Sequence, residues 1–378
     1  IIMADFKKKK VCILQNGLAR GGTDTFVVNL CKGLDKNKFD ITVVNPSDKD
    51  SSRVRESEIL SSGAKIVHTF PLTGIKGKLL HFFKLYKFLK FEKIDIFQTN
   101  IDLFNGPNLL IAWLAGVPVR CCHSHNSRQN REFKQGFTFS LRMYQWMMRK
   151  MCLWFSTHKC GCSQSAMSFL YPEYNWEKNN YPTIIQNGID LHHFQELIDF
   201  VSKKKELGLT APKHILTIGH FIKQKNPGFT AKVFAELSQV RSDVDLLWVG
   251  EGELKESIVD FFKKRNLLDR VHFLGYRSDI NEIMQCSDLF ILPSNFEGLG
   301  IVAIEAQAAG LSCILSKNVP PEANCGAALY MSLDDTEQWL VSINRILNGE
   351  TMLTVDPYRL NKFSIEYMSR QMTEVFES

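Results

Sequence analysis

Short apolar runs recur along the first half of the chain, each followed by a turn and then by apolar residues every three or four positions. VCILQ at residues 11–15 reads as a buried strand, with a glycine turn and the helical FVVNLCKGL after it. FDITVVN, AKIVHTF, DIFQTN and VPVRCCHSH continue the strands, while KGKLLHFFKLYKFLKF and NGPNLLIAWLAG continue the helices. Strands alternating with helices at this spacing predict β-α-β units and a parallel sheet. The pattern restarts at KHILTIGHF, residues 213–221. From there DLLWVG, RVHFLG, DLFILPS and SCILS alternate with NPGFTAKVFAELSQV, ELKESIVDFFKKR, SDINEIMQC and LGIVAIEAQAAG.

Two α/β domains result, over residues 1–195 and 196–356, each a Rossmann-like, doubly wound parallel sheet. The final segment, 357–378, is an amphipathic helix with no strand beside it, expected to pack back on the first domain. If the two sheets face each other, the carboxyl ends of their strands line one central cleft, where ligands of such folds sit.

Composition narrows this picture. Of 378 residues, 44% are hydrophobic, including 27 Phe and 6 Trp, enough for large cores and against disorder. No apolar stretch approaches the length of a membrane-spanning helix, and the start of the chain shows no signal-peptide pattern. The ten cysteines are poorly spaced for zinc, so buried thiols in a reducing compartment are expected.

The net charge of +6 hides a split. Residues 1–190 hold 27 Lys+Arg against 15 Asp+Glu, whereas the remainder hold 19 against 25. A basic first half implies an anionic surface met by that half only. Within it, residues 76–93 carry six lysines against one glutamate among leucines and aromatics, and residues 141–155 form a second basic-aromatic run. A core-facing helix with a solvated lysine face accounts for such a stretch; so does an interfacial helix on an anionic membrane.

The richest chemistry lies in ILPSNFEGLGIVAIEAQAAG. A strand ends at Ser294, a loop carries Glu297, Gly298 and Gly300, and a helix opens near Leu299–Ile301. Glycines let backbone N–H groups approach an anion, and the helix dipole favours phosphate there. Glu305 sits in an apolar run, where a carboxylate without a task is costly. It can accept two hydrogen bonds from vicinal hydroxyls such as those of a ribose, while Glu297 reaches hydroxyls of a group beyond the phosphates.

This segment resembles the paired-glutamate motif of the retaining family-4 glycosyltransferases, whose fold is GT-B. The resemblance extends through NGLARGGTDTFVVNL, VRCCHSHNS, IIQNGIDLHHF and TIGHFIKQKNP, and is nearest to enzymes that build bacterial capsule and exopolysaccharide on lipid carriers. It implies a nucleotide-sugar donor, with UDP as the nucleotide, and a glycan or lipid-linked acceptor. A hexose or N-acetylhexosamine moves with retention, and no metal cofactor is needed. Lys225 then neutralises the donor diphosphate, Glu297 and His125 complete the catalytic set, and Gly21 and Gly22 form the first glycine loop. His123, Gly250, Tyr276, Arg277, Gly298, Leu299, Gly300, Ile301 and Glu305 fall at donor-binding positions. His220 stands where the family carries arginine, and Asp24 where it more often carries glutamate. Such an enzyme is expected in the cytoplasm, peripheral on the inner membrane face.

Two other classes fit parts of the pattern. A GT-B relative of weak activity could bind nucleotide sugars or scaffold an assembly, since the His220 departure weakens the cationic clamp. A nucleic-acid-binding protein would use the basic half but have no use for Glu305, and the glycine loops argue against it.

Overall fold

The structure, a computed structural model, describes residues 7–19, 21–47, 49–127 and 138–378. The expectation of no signal peptide rests in part on residues 1–6, which lie outside the described residues.

The chain divides into two compact units, Ile1–Ile189 with Lys362–Ser378, and Asp190–Asn361. The division falls at Ile189 rather than 195, and the return at Lys362 rather than 357. The reason is local: Ile189 N–H donates to Phe363 O at 2.7 Å, while Asp356 N–H donates to Cys325 O at 2.6 Å. The helical turn Pro357–Asn361 therefore stays with the second unit.

Unit 1 holds six parallel strands, β1 (Lys9–Leu14), β2 (Phe39–Asn45), β3 (Lys65–His68), β4 (Ile96–Thr99), β5 (Val119–Ser124) and β6 (His158–Gly161). Their order is β3-β2-β1-β4-β5-β6. Unit 2 repeats the plan with β7 (Lys213–Ile218), β8 (Val244–Val249), β9 (Val271–Gly275), β10 (Leu289–Leu292), β11 (Cys313–Ser316) and β12 (Ala328–Met331). Its order is β12-β11-β10-β7-β8-β9. In each sheet the winding reverses beside the first strand, between β1 and β4 and between β7 and β10. Such a reversal opens a crevice at the strands' carboxyl ends.

The helices that position the functional residues are α1 (Gly22–Gly33), α2 (Gly74–Phe91), α3 (Asn105–Leu114), α4 (Phe139–Phe155), α5 (Phe200–Glu206), α6 (Pro227–Leu237), α7 (Ile280–Gln285), α8 (Ile301–Ala308) and α9 (Ile365–Glu377). Helix α9 buries Met368, Met372, Val375 and Phe376 in the same core as Phe26, Leu30 and Phe39 of unit 1. Gly33 permits this approach, because a Cβ there would lie 2.1 Å from Ser369 Oγ. The Asn187-Gly188 pair serves this junction too: Gly188 O accepts from Asn29 Nδ2 at 2.7 Å, and a Cβ on Gly188 would meet Ser364 O at 2.9 Å.

Helix α2 buries His81, Leu85 and Leu89 toward the sheet, the seam of an ordinary core-facing helix. Leu79 and Phe83 point outward instead, Phe83 being 59% exposed with Lys87 Nζ over its ring at 4.3 Å. All ten cysteines are buried and free.

Candidate active site

In unit 2 the loops after β7 and β10 meet at the winding reversal and are stitched by hydrogen bonds to backbone carbonyls. Asn295 N–H donates to Gln224 O at 2.8 Å, Asn295 Nδ2 to Lys223 O at 2.6 Å, and Gln224 Nε2 to Phe296 O at 3.3 Å. Across this seam Lys225 Nζ donates to Glu297 Oε1 at 2.6 Å, and Ser294 Oγ donates to the same oxygen at 2.6 Å. The stem of Lys225 crosses Gly219, where a Cβ would sit 3.1 Å from Lys225 Cγ. Both ends of the pair are sheltered, Lys225 at 21% and Glu297 at 7% side-chain exposure. Removing one member of a buried pair strands the other charge, a cost of about 3–5 kcal/mol.

Helix α8 starts beside this pair. Gly300 caps it with φ +85°, and a Cβ there would press to 2.9 Å from Val319 Cγ1. No side chain of Gly300 can satisfy the first-turn amides, so that end carries the partial positive charge of the helix dipole. Leu299 is buried in the core and contributes only its backbone, whereas Ile301 and Glu305 are half-buried. Four residues apart, those two share one face of α8. Gly298 lies buried between Glu297 and this cap.

Asn226 precedes the first proline of α6 but does not cap with its side chain. Its φ of +53° places it in the left-handed region, which asparagine tolerates better than most residues.

His220 is exposed at the end of β7. Its Nδ1 lies 3.3 Å from Glu251 O and 3.4 Å from Tyr276 Oη. A carbonyl only accepts, so Nδ1 carries the proton, and a neutral ring held this way offers Nε2 as an acceptor. It then lacks the donor fork that arginine would present to an anion.

Three residues expected on the donor side meet protein partners in the local geometry. Arg277, expected beside a base, is committed to carboxylates: its Nε and Nη2 reach Asp279 at 2.8 and 2.6 Å, and Nη2 reaches Glu206 at 2.9 Å. Lys203 on α5 joins them, at 2.7 Å from Asp279, Glu206 and Glu282, tying α5 to α7. Gly250 faces backbone, since its Cβ would fall 2.1 Å from Gly219 O; its neighbour Gly252 would likewise press Phe221 N at 2.7 Å. These two glycines pack the β7 and β8 loops together. Tyr276 remains about half exposed.

The third lies in unit 1. Gly21 caps α1, with Gly22 its first residue, but the Gly21 N–H is already spent on Asp24 Oδ2 at 3.0 Å. Ala19 N–H donates to the same oxygen at 3.1 Å, and Gln15 Nε2 donates to Oδ1 at 2.8 Å. Burial pushes the Asp24 carboxyl up, and these three bonds pull it back. The shortened acidic side chain thus closes its own loop and leaves no Gly21 amide for a phosphate.

His123 lies within β5 and is fully buried, and His125 follows just beyond the strand. The His123 ring packs edge-on to Phe26 and 4.3 Å from the His125 ring. The Gly161 and Ile185 backbone lies near, but neither ring nitrogen closes a hydrogen bond. Burial lowers His123 to about 3 and holds His125 well below the ordinary range. Both are neutral, so neither acts as a cation near pH 7.

His125 has a defined tautomer. Asn100 Nδ2 donates to Leu14 O at 3.4 Å, so its Oδ1 must accept, both from Gln98 Nε2 at 3.1 Å and from His125 Nε2 at 3.0 Å. His125 Nδ1 is therefore a buried acceptor with no partner. Sequence reasoning passed over Gln98, Asn100 and Ser294. The run QTN at the end of β4, wholly polar yet buried, was the signal for the first two.

Comparison with known proteins bears on both units. Residues 20–193 match the family described as Glycosyltransferase Family 4, and residues 199–326 match Glycosyl transferases group 1. The chain is 32% identical over 346 residues to EpsF of Bacillus subtilis (strain 168), which is named as a glycosyltransferase; the match covers 89% of this chain and 88% of that one. It is 32% identical over 286 residues to the UDP-Gal:alpha-D-GlcNAc-diphosphoundecaprenol alpha-1,3-galactosyltransferase of Escherichia coli, covering 71% and 70%. Among solved structures it superposes on Anabaena Alr3699/HepE in complex with UDP and glucose with a TM-score of 0.80, at 16% identity, covering 98% and 99% of the two chains.

Burial of His123 is expected to make stability depend on pH. A His123 pKa near 3 in the folded state, against about 6.5 unfolded, means the unfolded chain binds the extra proton between those values. Stability is full above pH 6.5 and falls as pH drops, by about 1.4 kcal/mol per pH unit for this one group. His123→Leu is expected to flatten the acid limb of denaturant midpoint against pH by about one proton. An unchanged slope would show that the ring is protonated or hydrated in the fold.

Proposed function

The chain belongs to the family-4 (group 1) glycosyltransferases of GT-B fold, and from that premise we propose that it moves a hexose or N-acetylhexosamine, with retention, from a UDP-sugar to a glycan or lipid-linked acceptor in surface polysaccharide synthesis. The observation that carries this reading is the Lys225–Glu297 pair set beside the α8 N-terminus at the crevice of unit 2. The donor and acceptor chemistry printed in the name of the E. coli relative supports the nucleotide and the lipid-linked acceptor.

In this mechanism the sugar C1–oxygen bond to the β-phosphate breaks while the acceptor hydroxyl attacks C1 from the same face. The hydroxyl proton passes to the departing phosphate, so no protein nucleophile or base is required. Negative charge grows on the β-phosphate oxygens, and Lys225 with the α8 amides is aimed to stabilise it without metal. Glu305 accepts from the ribose hydroxyls. Glu297 turns from Lys225 to sugar hydroxyls once the diphosphate takes over the cation. In unit 1 the neutral His125 offers Nδ1 to a sugar hydroxyl.

A membrane-surface site of action is supported by α2, α3 and α4, which pack in sequence on one side of the unit 1 sheet. Leu79, Phe83, Trp113, Trp146 and Trp154 stand exposed there, Trp154 at 69%, among the lysines of α2. Aromatic residues and lysines together suit the headgroup boundary of an anionic membrane, each lysine contributing about 1 kcal/mol. We therefore place the enzyme peripherally, on the inner face of the cell membrane, with no role for nucleic acid. Among the described residues no helix is long and apolar enough to cross a membrane.

Thermal melting with UDP, GDP and a panel of their sugars tests the donor. Ligand at a hundredfold excess over Kd stabilises by about 2.7 kcal/mol, a rise of a few degrees. UDP is expected to give this rise, and Glu305→Ala to lose it; no shift with any nucleotide at millimolar concentration would overturn the reading. Co-sedimentation tests the surface. Binding to phosphatidylglycerol vesicles but not to phosphatidylcholine is expected, reversed by salt and by Lys84→Glu with Lys87→Glu. Equal partition to both would contradict it.

A further inference from the structure

The turn after β4 passes through Asp102 with φ +47°, a left-handed conformation unusual for a non-glycine residue. Two clamps join this turn to the end of β5. Asn105 takes Thr99 Oγ1 at 2.8 Å and Ile101 N–H at 2.6 Å on its Oδ1, then donates Nδ2 to His123 O at 3.1 Å. The second clamp is Asp102 itself. Its carboxylate accepts from Asn126 Nδ2 and faces the backbone N–H of His125, and its Oδ1 is buried without a hydrogen-bond partner. His125 is thus held at two points, Nε2 by Asn100 and the next side chain by Asp102, with its own amide facing that carboxylate.

We propose that Asp102 is a positioning residue for His125: its carboxylate fixes the His125–Asn126 backbone at the end of β5 so that His125 Nδ1 stays available as an acceptor. The part played by His125 rests on the function proposed above.

The clamp depends on charge. As a carboxylate Asp102 can only accept, as it does from Asn126; protonated, it carries an O–H donor among the donors of His125 and Asn126. Burial pushes this carboxyl up to about 6, with Asn126 and the His125 amide pulling it back. The titratable groups on the segments packed against it are His123 of β5 and His125 just beyond it, whose rings burial keeps neutral, and Cys152 of α4, whose thiol burial pushes up. None of them changes charge between pH 5 and 8. Protonation of this carboxyl is therefore expected to loosen the clamp.

The test joins the nitrogen resonances of the His125 ring to kcat/KM, both followed from pH 5 to 8.5. In the wild type both are expected to move with a common midpoint near 6. Asp102→Asn keeps two polar atoms without the titration, and is expected to abolish that midpoint in both readouts. Asn126→Ala removes a bond that favours the charged form and is expected to move the midpoint upward, which also serves if Asp102→Asn does not fold. Asp102→Ala is expected to lower kcat/KM at pH 8 by about 10- to 100-fold through misplacement of His125. A midpoint in the ring resonances that survives Asp102→Asn, or stays put in Asn126→Ala, overturns the proposal. If no donor supports turnover, the functional reading fails while the ring resonances still decide this one.

Discussion

A lysine and a glutamate drawn from two different loops, and largely shielded from water, constrain everything around them in unit 2. Neither Lys225 nor Glu297 can be left alone in that setting without a cost comparable to a large part of a domain's stability. Their pairing therefore holds the β7 and β10 loops against each other at the point where the sheet reverses its winding. Gly219 gives the lysine its path, and the carbonyls of Lys223, Gln224 and Phe296 give the seam its register. The arrangement is a cation held ready by a carboxylate beside a helix N-terminus. A diphosphate is the kind of ligand that can take such a cation, because it brings more negative charge than the glutamate it displaces.

Unit 1 uses the same topology for a different electrostatic end. At the ends of β4 and β5 stand neutral polar groups, Gln98, Asn100 and His125, joined by hydrogen bonds that fix the His125 tautomer, and the one acidic residue in the glycine loop is turned back on nearby amides. Burial makes the two histidines uncharged hydrogen-bonding groups. The basic character of this half lies elsewhere, along α2 and α4 on the outer side of the helical layer. Positive charge on the surface and neutrality at the crevice are thus separated within one unit.

Most of the fold was legible because apolar runs of four to six residues, spaced by helical segments, leave few alternatives to a doubly wound sheet. The two strands passed over, β6 and β12, are four-residue edges; His158-Lys159-Cys160-Gly161 has no apolar run at all, and is held by its neighbour β5. Site positions were legible where residue type and chemistry coincide, as for Glu297 beside Gly298 and Gly300. Roles were not, because a role depends on what the side chain meets. Arg277 meets Asp279 and Glu206, Gly250 meets Gly219, and the Gly21 amide meets Asp24. Asn226 reads as a helix cap from its place before proline, yet its backbone conformation explains it. Asp102 carries no motif, and only its left-handed φ and inward carboxylate mark it.

The central claim, that Lys225 is reserved for the phosphates of a nucleotide, is tested most directly by calorimetric titration of UDP and uridine into the wild type and Lys225→Met. A hydrogen bond to a charged group is worth about 1.5–3 kcal/mol, or roughly 10- to 150-fold in affinity. The expected result is a loss of that size for UDP with uridine affinity unchanged, the nucleoside reporting that the crevice is still formed. Equal affinity of both proteins for UDP, with uridine binding intact, would contradict the claim and leave the Lys225–Glu297 pair as a structural tie alone.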